Sequence, residues 1–176
     1  TIPVIGLGTW TIGGGDEADT TYDDEDISAI RTAIKLGITH IDTAEAYAHG
    51  HTEELIGKAI GDFDRKSLFI TSKVSPEHLS YDDLLASAKG SLQRLDTEYI
   101  DLYLIHAPNP DIPIQETMKA MDSLAEHKLI RCMGVSNFSV EQIKEAQKYT
   151  KNKIVANQIE YNLLVRDKGR VTENME

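Results

Sequence analysis

Short apolar runs alternate with amphipathic helical segments along the chain, and this alternation constrains the fold more than any other feature. Six runs have the length and composition of buried strands, at residues 3–10, 38–42, 68–73, 99–106, 132–137 and 154–160. Apolar residues at helical spacing fill the stretches between them, at residues 23–36, 52–60, 81–95, 114–128 and 140–149. The pattern predicts one α/β domain over residues 1–176, with parallel strands joined by right-handed crossovers.

Helix-capping signals support two of these helices. Ser80 with Asp83, and Ser139 with Gln142, have the spacing of a capping box. Thr52 is predicted to cap the short helix at 52–60. The Gly-rich stretch "IGGGDEAD" at residues 12–19 is interpreted as a loop between a strand and its helix. No linker therefore divides the chain.

One conspicuous side chain stands where each of five predicted strands ends. They recur about once per βα unit, as Trp10, Asp42, Lys73, His106 and Asn137. The carboxyl ends of parallel strands meet at one edge of a sheet, which we call the mouth, and α/β folds bind ligands there. The sequence therefore predicts a ligand site at the mouth.

Two parallel architectures fit the pattern. Six strands could complete an open doubly wound sheet, whereas a (β/α)₈ barrel needs about 250 residues and two further units. The stretch "GLGTWT" has Gly6 and Gly8 but carries Thr11 at the third position of a dinucleotide-binding glycine motif. The residue pattern alone leaves both architectures open.

Four of the residues near the mouth form a chemically coherent set. Lys73 at a buried strand end needs a carboxylate partner, and Asp42 is the candidate. A neighbouring ammonium stabilises a phenolate, so Tyr47 beside Lys73 would become a useful proton donor. His106 could hold a carbonyl oxygen. Hydride from a nicotinamide is the natural partner for such a proton donor, since no nucleophilic Ser or Cys arrangement is present.

Each of these residues has a structural interpretation when taken alone. An Asp–Lys pair is usually structural, and a His at a strand end is usually a hydrogen-bonded core residue. Ser136 and Asn137 could bind an amide or cap the following helix. His49 and His51 could form a metal pair, but a solvent-exposed loop is the better interpretation. Cys132 is interpreted as a buried, small apolar residue.

Composition narrows the range of partners. The formal net charge of −11 among 176 residues disfavours nucleic acid and anionic membranes. No apolar run reaches the ~20 residues of a membrane helix, and the start "TIPVIGLGTW" lacks a signal peptide's basic region. The single cysteine excludes an intrachain disulfide and suits a reducing compartment, so a cytoplasmic protein is expected.

Six segments resemble the aldo-keto reductase superfamily in order and spacing. They are "IPVIGLGTW", "HIDTAEAY" with "GHTEELIGKAI", "ITSKV", "DLYLIHAP", "MGVSNF" and "NQIEYNLL". The resemblance covers nearly the whole chain and implies the (β/α)₈ barrel. The family's catalytic tetrad matches Asp42, Tyr47, Lys73 and His106. The resemblance implies NADPH-dependent reduction of aldehydes or ketones, with Tyr47 as general acid and no metal.

The resemblance also implies cofactor contacts. Asp42 would lie near the nicotinamide ribose, and Ser136, Asn137 and Gln158 would bind the carboxamide. Gly8, Thr9 and Trp10 would line the mouth, with Trp10 facing a small-molecule carbonyl substrate.

The family pattern continues beyond this sequence, through two further strands and the segment that grips the 2′-phosphate of NADPH. We therefore expect residues 1–176, which start without Met, to form a truncated barrel of about six units. The open barrel edges favour self-association and an inactive chain. The polar tail 165–176 is expected to begin another helix.

Two other functions remain open at this point. One is a regulatory or binding protein of the same fold, like the β-subunits of channels. The other is a metal-dependent barrel hydrolase that uses His51, His106 and Glu160.

Overall fold

A computed structural model describes residues 2–163 of the chain. It contains one parallel sheet of six strands in sequential order, β1 to β6. The strands are Gly6–Gly8, His40–Asp42, Phe69–Val74, Ile100–Ile105, Ile130–Ser136 and Ile154–Gln158. Helices α1 to α5 connect them and are Asp23–Lys35, His51–Ile60, Tyr81–Arg94, Ile114–Glu126 and Val140–Gln147.

The sheet curls into part of a barrel. A hydrogen bond joins the side chain of Gln158, at the end of β6, to that of Asp42, at the end of β2. The two strands are separated by three others in the sheet, so only strong curvature brings their ends together. The predicted parallel barrel architecture, incomplete at six strands, is confirmed.

The main core lies between the convex face of the sheet and the helices. Alternate strand residues such as Ile41, Ile70 and Tyr103 point outward and are fully buried beneath the helices. The helices contribute their apolar stripes, including Ile56 and Met121. This packing holds the strand ends, and hence the side chains at the mouth, on a rigid frame.

The helix ends show which capping signals operate. Ser139 and Gln142 form the predicted reciprocal capping box at the start of α5. Ser80 makes no capping bond to the backbone of α3, and its hydroxyl donates to the Asp83 carboxylate at 2.6 Å. Thr52 lies inside α2, which begins at His51, and its hydroxyl donates to the backbone oxygen of Ile12 at 2.6 Å.

Three further predictions need correction or lie outside the described residues. The first strand is only three residues long, because pairing with β2 begins at Gly6 and leaves Val4 and Ile5 exposed. Cys132 is partly exposed rather than buried, since it lies on the concave face of the sheet beside Leu102. The predicted helix in the tail 165–176 lies outside the described residues. Within residues 2–163, no helix is long and apolar enough to cross a membrane.

Candidate active site

Lys73 is the centre of a hydrogen-bonded cluster at the mouth. Its ammonium group donates to Asp42 Oδ1 at 2.7 Å, to the backbone oxygen of Thr43 at 2.9 Å and to Tyr47 Oη at 3.3 Å. The Lys73 side chain is only 1% exposed. A buried ammonium is costly unless it is paired, and three oxygen acceptors satisfy all three of its donors. The cluster therefore keeps a cation beside the tyrosine hydroxyl.

Asp42 is held from two sides. Lys73 donates to one carboxylate oxygen, and Gln158 Nε2 donates to the other at 2.7 Å. The backbone oxygen of Asp42 accepts from both the amide and the hydroxyl of Thr9, at 3.1 and 2.9 Å. These contacts leave the carboxylate no freedom to rotate away from Lys73.

Tyr47 reaches the mouth from the connection between β2 and α2, residues 43–50, which we call the Tyr47 loop. Three consecutive residues of this loop, Ala48, His49 and Gly50, have positive φ angles of 47°, 51° and 91°. The first two are non-glycine residues in the left-handed region, a conformation that costs about 1–3 kcal/mol each and persists only where the surroundings enforce it. The compact turn keeps the phenol ring partly buried against Lys73.

His106 follows β4 and faces the same cluster. Its ring packs edge-on against Tyr47, with 5.9 Å between ring centroids. Burial lowers the pKa of His106 below its ordinary value, and the nearby Lys73 ammonium lowers it further. The imidazole is therefore neutral at pH 7 and can donate one N–H. Its backbone is fixed by Val74 and by the side-chain amide of Asn137.

A second group of polar side chains lies beside the cluster at the ends of β5 and β6. Ser136 Oγ and the Asn137 backbone amide both donate to the backbone oxygen of Gln158, at 3.0 and 2.9 Å. Asn137 adopts a left-handed conformation with φ of 61°, which turns its amide side chain toward His106 and Ser136. The structure thus brings these three predicted residues to the mouth and joins them to Asp42 through Gln158.

The predicted residues after β1 are distributed differently. Thr9 is fully buried and supports Asp42, whereas Trp10 is 70% exposed. Gly8 has open space on the side where a Cβ would stand. Gly8 and Trp10 therefore form an open rim on the β1 side of the mouth, and Thr9 is buried.

The histidines of the "AHGH" stretch have separate environments. His49 is exposed, but His51 is not in a solvent-exposed loop: it begins α2 and its ring contacts Asp23 at 2.8 Å and Glu54 at 3.2 Å. Hydrogen bonds to these carboxylates raise the pKa of His51 despite the opposing effect of burial, which is the largest single influence. Within residues 2–163, no group of three or more His, Cys, Asp or Glu side chains could hold a metal ion.

Two carboxylates of the site were not identified from the sequence. Glu45 and Glu53 flank Tyr47 on either side, and both are buried. Glu53 carried a detectable signal, because it shares a helical stripe with Ile56, Gly57 and Ile60 and so had to face the core. Glu45 lies in an irregular loop, where no periodicity indicates the direction of its side chain.

A parallel sheet curled into part of a barrel, with ionisable groups at the carboxyl ends of its strands, defines the (β/α)-barrel class, whose sites lie at this mouth. The family model for the aldo/keto reductase family matches residues 4–176. The chain belongs to the aldo/keto reductase family.

Relatives of known name support this membership. The chain is 41% identical over 152 residues to aldo-keto reductase YhdN of Bacillus subtilis, covering 79% of this chain and 44% of the relative. It is 36% identical over 163 residues to methylglyoxal reductase YeaE of Escherichia coli, covering 92% of this chain and 55% of the relative. The chain thus spans about half the length of these curated relatives.

Solved structures agree with the fold. A thermostable aldo-keto reductase, Tm1743, in complex with the inhibitor epalrestat matches with a TM-score of 0.93 and 55% identity, over 96% of this chain and 62% of that protein. An aldo-keto reductase from Klebsiella pneumoniae in complex with NADPH matches with a TM-score of 0.81 and 39% identity, over 91% of this chain and 55% of that protein.

Proposed function

We propose that the protein reduces aldehydes or ketones to alcohols with hydride from NADPH, and that Tyr47 donates the proton to the carbonyl oxygen. The observation that carries the proposal is the position of the Lys73 ammonium, which lies 3.3 Å from Tyr47 Oη and 2.7 Å from Asp42 Oδ1. This arrangement places a hydrogen-bonding cation beside the phenol oxygen at the opening of the barrel.

The residues at the mouth fit a nicotinamide. A carboxamide needs both donors and acceptors, and the side-chain amides of Asn137 and Gln158 contain both kinds of group, with donor bonds to His106, Ser136 and Asp42 in this structure. Both are partly exposed, whereas Ser136 beside them is buried, so this polar group borders open space rather than the core. These three residues would hold the carboxamide, with Asp42 near the ribose. When bound, NADPH supplies the hydride.

The side chains of the cluster divide the remaining work. Tyr47 holds the transferable proton on Oη, and Lys73 stabilises the negative charge left when that proton departs. Asp42 keeps Lys73 charged and in place. His106, neutral and fixed by its backbone contacts, directs one N–H toward the carbonyl oxygen and orients the substrate.

Small α-dicarbonyl compounds are the first substrates to test. Relatives of Escherichia coli and Bacillus subtilis are named methylglyoxal reductase and glyoxal reductase, at 36% and 38% identity. The supporting chemistry is general, because an adjacent carbonyl makes the reacting carbon more electrophilic.

The test is turnover of methylglyoxal and a panel of aldehydes by the full gene product, followed by NADPH absorbance, with NADH in parallel. Tyr47→Phe should lower kcat by about 10²–10⁴-fold and leave the NADPH dissociation constant unchanged, since it removes only the proton donor. Tyr99→Phe, at the opposite end of the sheet, is the matched control and should keep full activity. Unchanged turnover in Tyr47→Phe would remove Tyr47 from the mechanism, and no NADPH oxidation by the unaltered protein would sink the proposal.

A further inference from the structure

Two carboxylates, Glu45 and Glu53, flank Tyr47 in the chain and connect this region to strand β3 and to Ser75, which follows it. Glu45 lies within the loop, and Glu53 lies in the first turn of α2, immediately after it. Each accepts a hydrogen bond from a serine of the β3 segment, and those two serines, Ser72 and Ser75, stand on either side of Lys73. The loop that carries Tyr47 is thus connected to Lys73 at two points, independently of the contact between their side chains.

The first connection is made by Glu53. Its side chain is fully buried, with one oxygen 2.5 Å from Ser72 Oγ and the other 2.8 Å from Arg94. Burial raises the pKa of Glu53, and Arg94 opposes that shift. The Ser72 hydroxyl donates to Glu53. This bond therefore fixes the outward-facing side chain of the β3 residue that precedes Lys73.

The second connection is made by Glu45, whose side chain is 8% exposed. Its Oε1 accepts from the backbone amide of Ser75 at 2.7 Å and contacts His78 Nδ1 at 2.9 Å. The Glu45 backbone amide also donates to the Lys73 carbonyl at 3.2 Å. The Glu45 carboxylate therefore extends the hydrogen bonding between the Tyr47 loop and the β3 segment beyond the end of the sheet.

The conformation of the loop shows why such anchoring is needed. The left-handed residues Ala48 and His49 store strain that the local backbone does not favour. Gly50 leaves room for Arg94, because a Cβ at Gly50 would stand 2.7 Å from Arg94 Nε. Arg94 thus packs on the end of the loop and pairs with Glu53 at the same time, which resists relaxation of the turn.

We propose that Glu45 and Glu53 are positioning residues that set the distance between Tyr47 Oη and Lys73 Nζ by fastening the Tyr47 loop to both sides of Lys73. The inference rests on the proposed function for its catalytic consequence. Neither carboxylate touches the phenol, so each acts through the backbone. Loss of either connection lets the strained loop relax and moves the phenol from the ammonium.

The test uses three variants of the full gene product and one control. Glu45→Ala removes the acceptor for Ser75, whereas Glu45→Gln keeps an acceptor oxygen of the same reach and removes only the charge. Ser72→Ala removes one bond of Glu53 and leaves its Arg94 pair intact, which avoids an unpaired buried charge. Asp101→Asn is the control, because Asp101 is equally buried and ion-paired but lies at the other end of the strands.

Glu45→Ala and Ser72→Ala should each lower kcat by about tenfold or more, with little change in KM or in the NADPH dissociation constant. Glu45→Gln should recover most of the lost kcat. Asp101→Asn should lower the free energy of unfolding without lowering kcat. If these residues had only a structural role, kcat would be unchanged in every variant that still folds. That result would overturn the inference.

A spectroscopic measurement separates this inference from the proposed function. With isotope-labelled tyrosine rings, the NMR signal of Tyr47 is the one that disappears in Tyr47→Phe. That signal should shift in Glu45→Ala and Ser72→Ala but not in Asp101→Asn, whether or not the protein turns over any substrate. An unmoved Tyr47 signal in both variants would refute the positioning role even in an active enzyme.

Discussion

A carboxylate, a cation and a tyrosine meet at the mouth of the sheet, and the same three kinds of group meet at its base, where the strands begin. At the base, Asp101 pairs with Arg65 at 2.7 Å and with Arg131 at 2.9 Å. The ring of Tyr99 lies between the two guanidinium groups, 4.1 and 3.9 Å from their central carbons. At the mouth, one lysine is shared between Asp42 and Tyr47.

The difference lies in what the cation touches. The base arginines contact the tyrosine ring face and carry permanent charge in a planar fork, which suits a fixed structural pair. The mouth lysine lies near the Tyr47 ring as well, 5.1 Å from its centroid, but it also donates to the tyrosine oxygen at 3.3 Å, which neither base arginine does. The same kinds of group therefore form a structural cluster at the base, where arginines meet the ring, and would assist proton transfer at the mouth under the proposed function, where a lysine donates to the hydroxyl.

Replacing the cation at each end should give the largest contrast. Lys73→Met should lower kcat by at least about a hundredfold, because the phenol loses the charge that assists its proton transfer. Arg131→Met should leave kcat unchanged and cost under about 1 kcal/mol of unfolding free energy, since the side chain is 51% exposed. Steady-state kinetics with urea unfolding checks both. Equal loss of kcat in the two variants would erase the contrast.

Removing the carboxylate at the base should mainly affect stability. Asp101→Ala leaves Arg65 without its carboxylate partner and leaves the backbone amide of Ile70 without its hydrogen-bond acceptor. We expect the free energy of unfolding to fall by about 3 kcal/mol. This value is at the low end for a buried ion pair because Arg131 is half-exposed. Chemical denaturation measures the loss, and kcat of the folded variant provides the control. A stable variant with impaired kcat would contradict the division of labour between base and mouth.

Mild acid should distinguish the two ends by a smaller effect. The pKa of His106 is lowered by burial and then by Lys73. As the pH falls, His106 is therefore protonated in the unfolded chain before it is protonated in the folded protein. The stabilising contribution of neutral His106 is complete above pH about 6.5 and declines as pH falls toward the folded pKa. None of the four base residues is a histidine.

His106→Gln should therefore destabilise the protein less at pH 5 than at pH 7.5. Urea unfolding of both proteins at the two pH values measures the difference. The contributions of His51 and His78, whose pKa values are raised, run in the opposite direction but cancel in the comparison. A pH-independent effect of His106→Gln would show that its neutral form is not selectively stabilised.

The parallel strands and the gathering of polar residues at the mouth were predictable because βα units repeat a simple pattern, whereas the sequential strand order of a barrel followed only from the family resemblance. Each strand is a short apolar run, and a polar residue marks its carboxyl end. The sequence thus placed Asp42, Lys73 and His106 on one edge. Their separations in space depend on the curl of the sheet, which no local pattern encodes.

The remaining features depend on contacts between distant segments. Ser80 matches a capping pattern but makes no bond to the backbone of α3, and its hydroxyl donates to the Asp83 side chain. Gln158 was predicted to contact a cofactor, and the structure also gives it a bond to Asp42 that only curvature creates. The side-chain direction of Glu45 follows from the strained Tyr47 loop, whose left-handed residues carry no glycine signature at Ala48 and His49.

The bond between Asp42 and Gln158 spans 116 positions of the chain, which bears on the order of events during protein synthesis. A ribosome adding about 5–20 residues per second makes the second partner roughly 6–23 s after the first. For most of that interval, once Lys73 has been added, the growing chain already holds its lysine and phenol, but Asp42 lacks the amide of Gln158 that holds it. The hydrogen-bonded cluster at the mouth is therefore completed late on the translating ribosome, well after the first three strands have emerged.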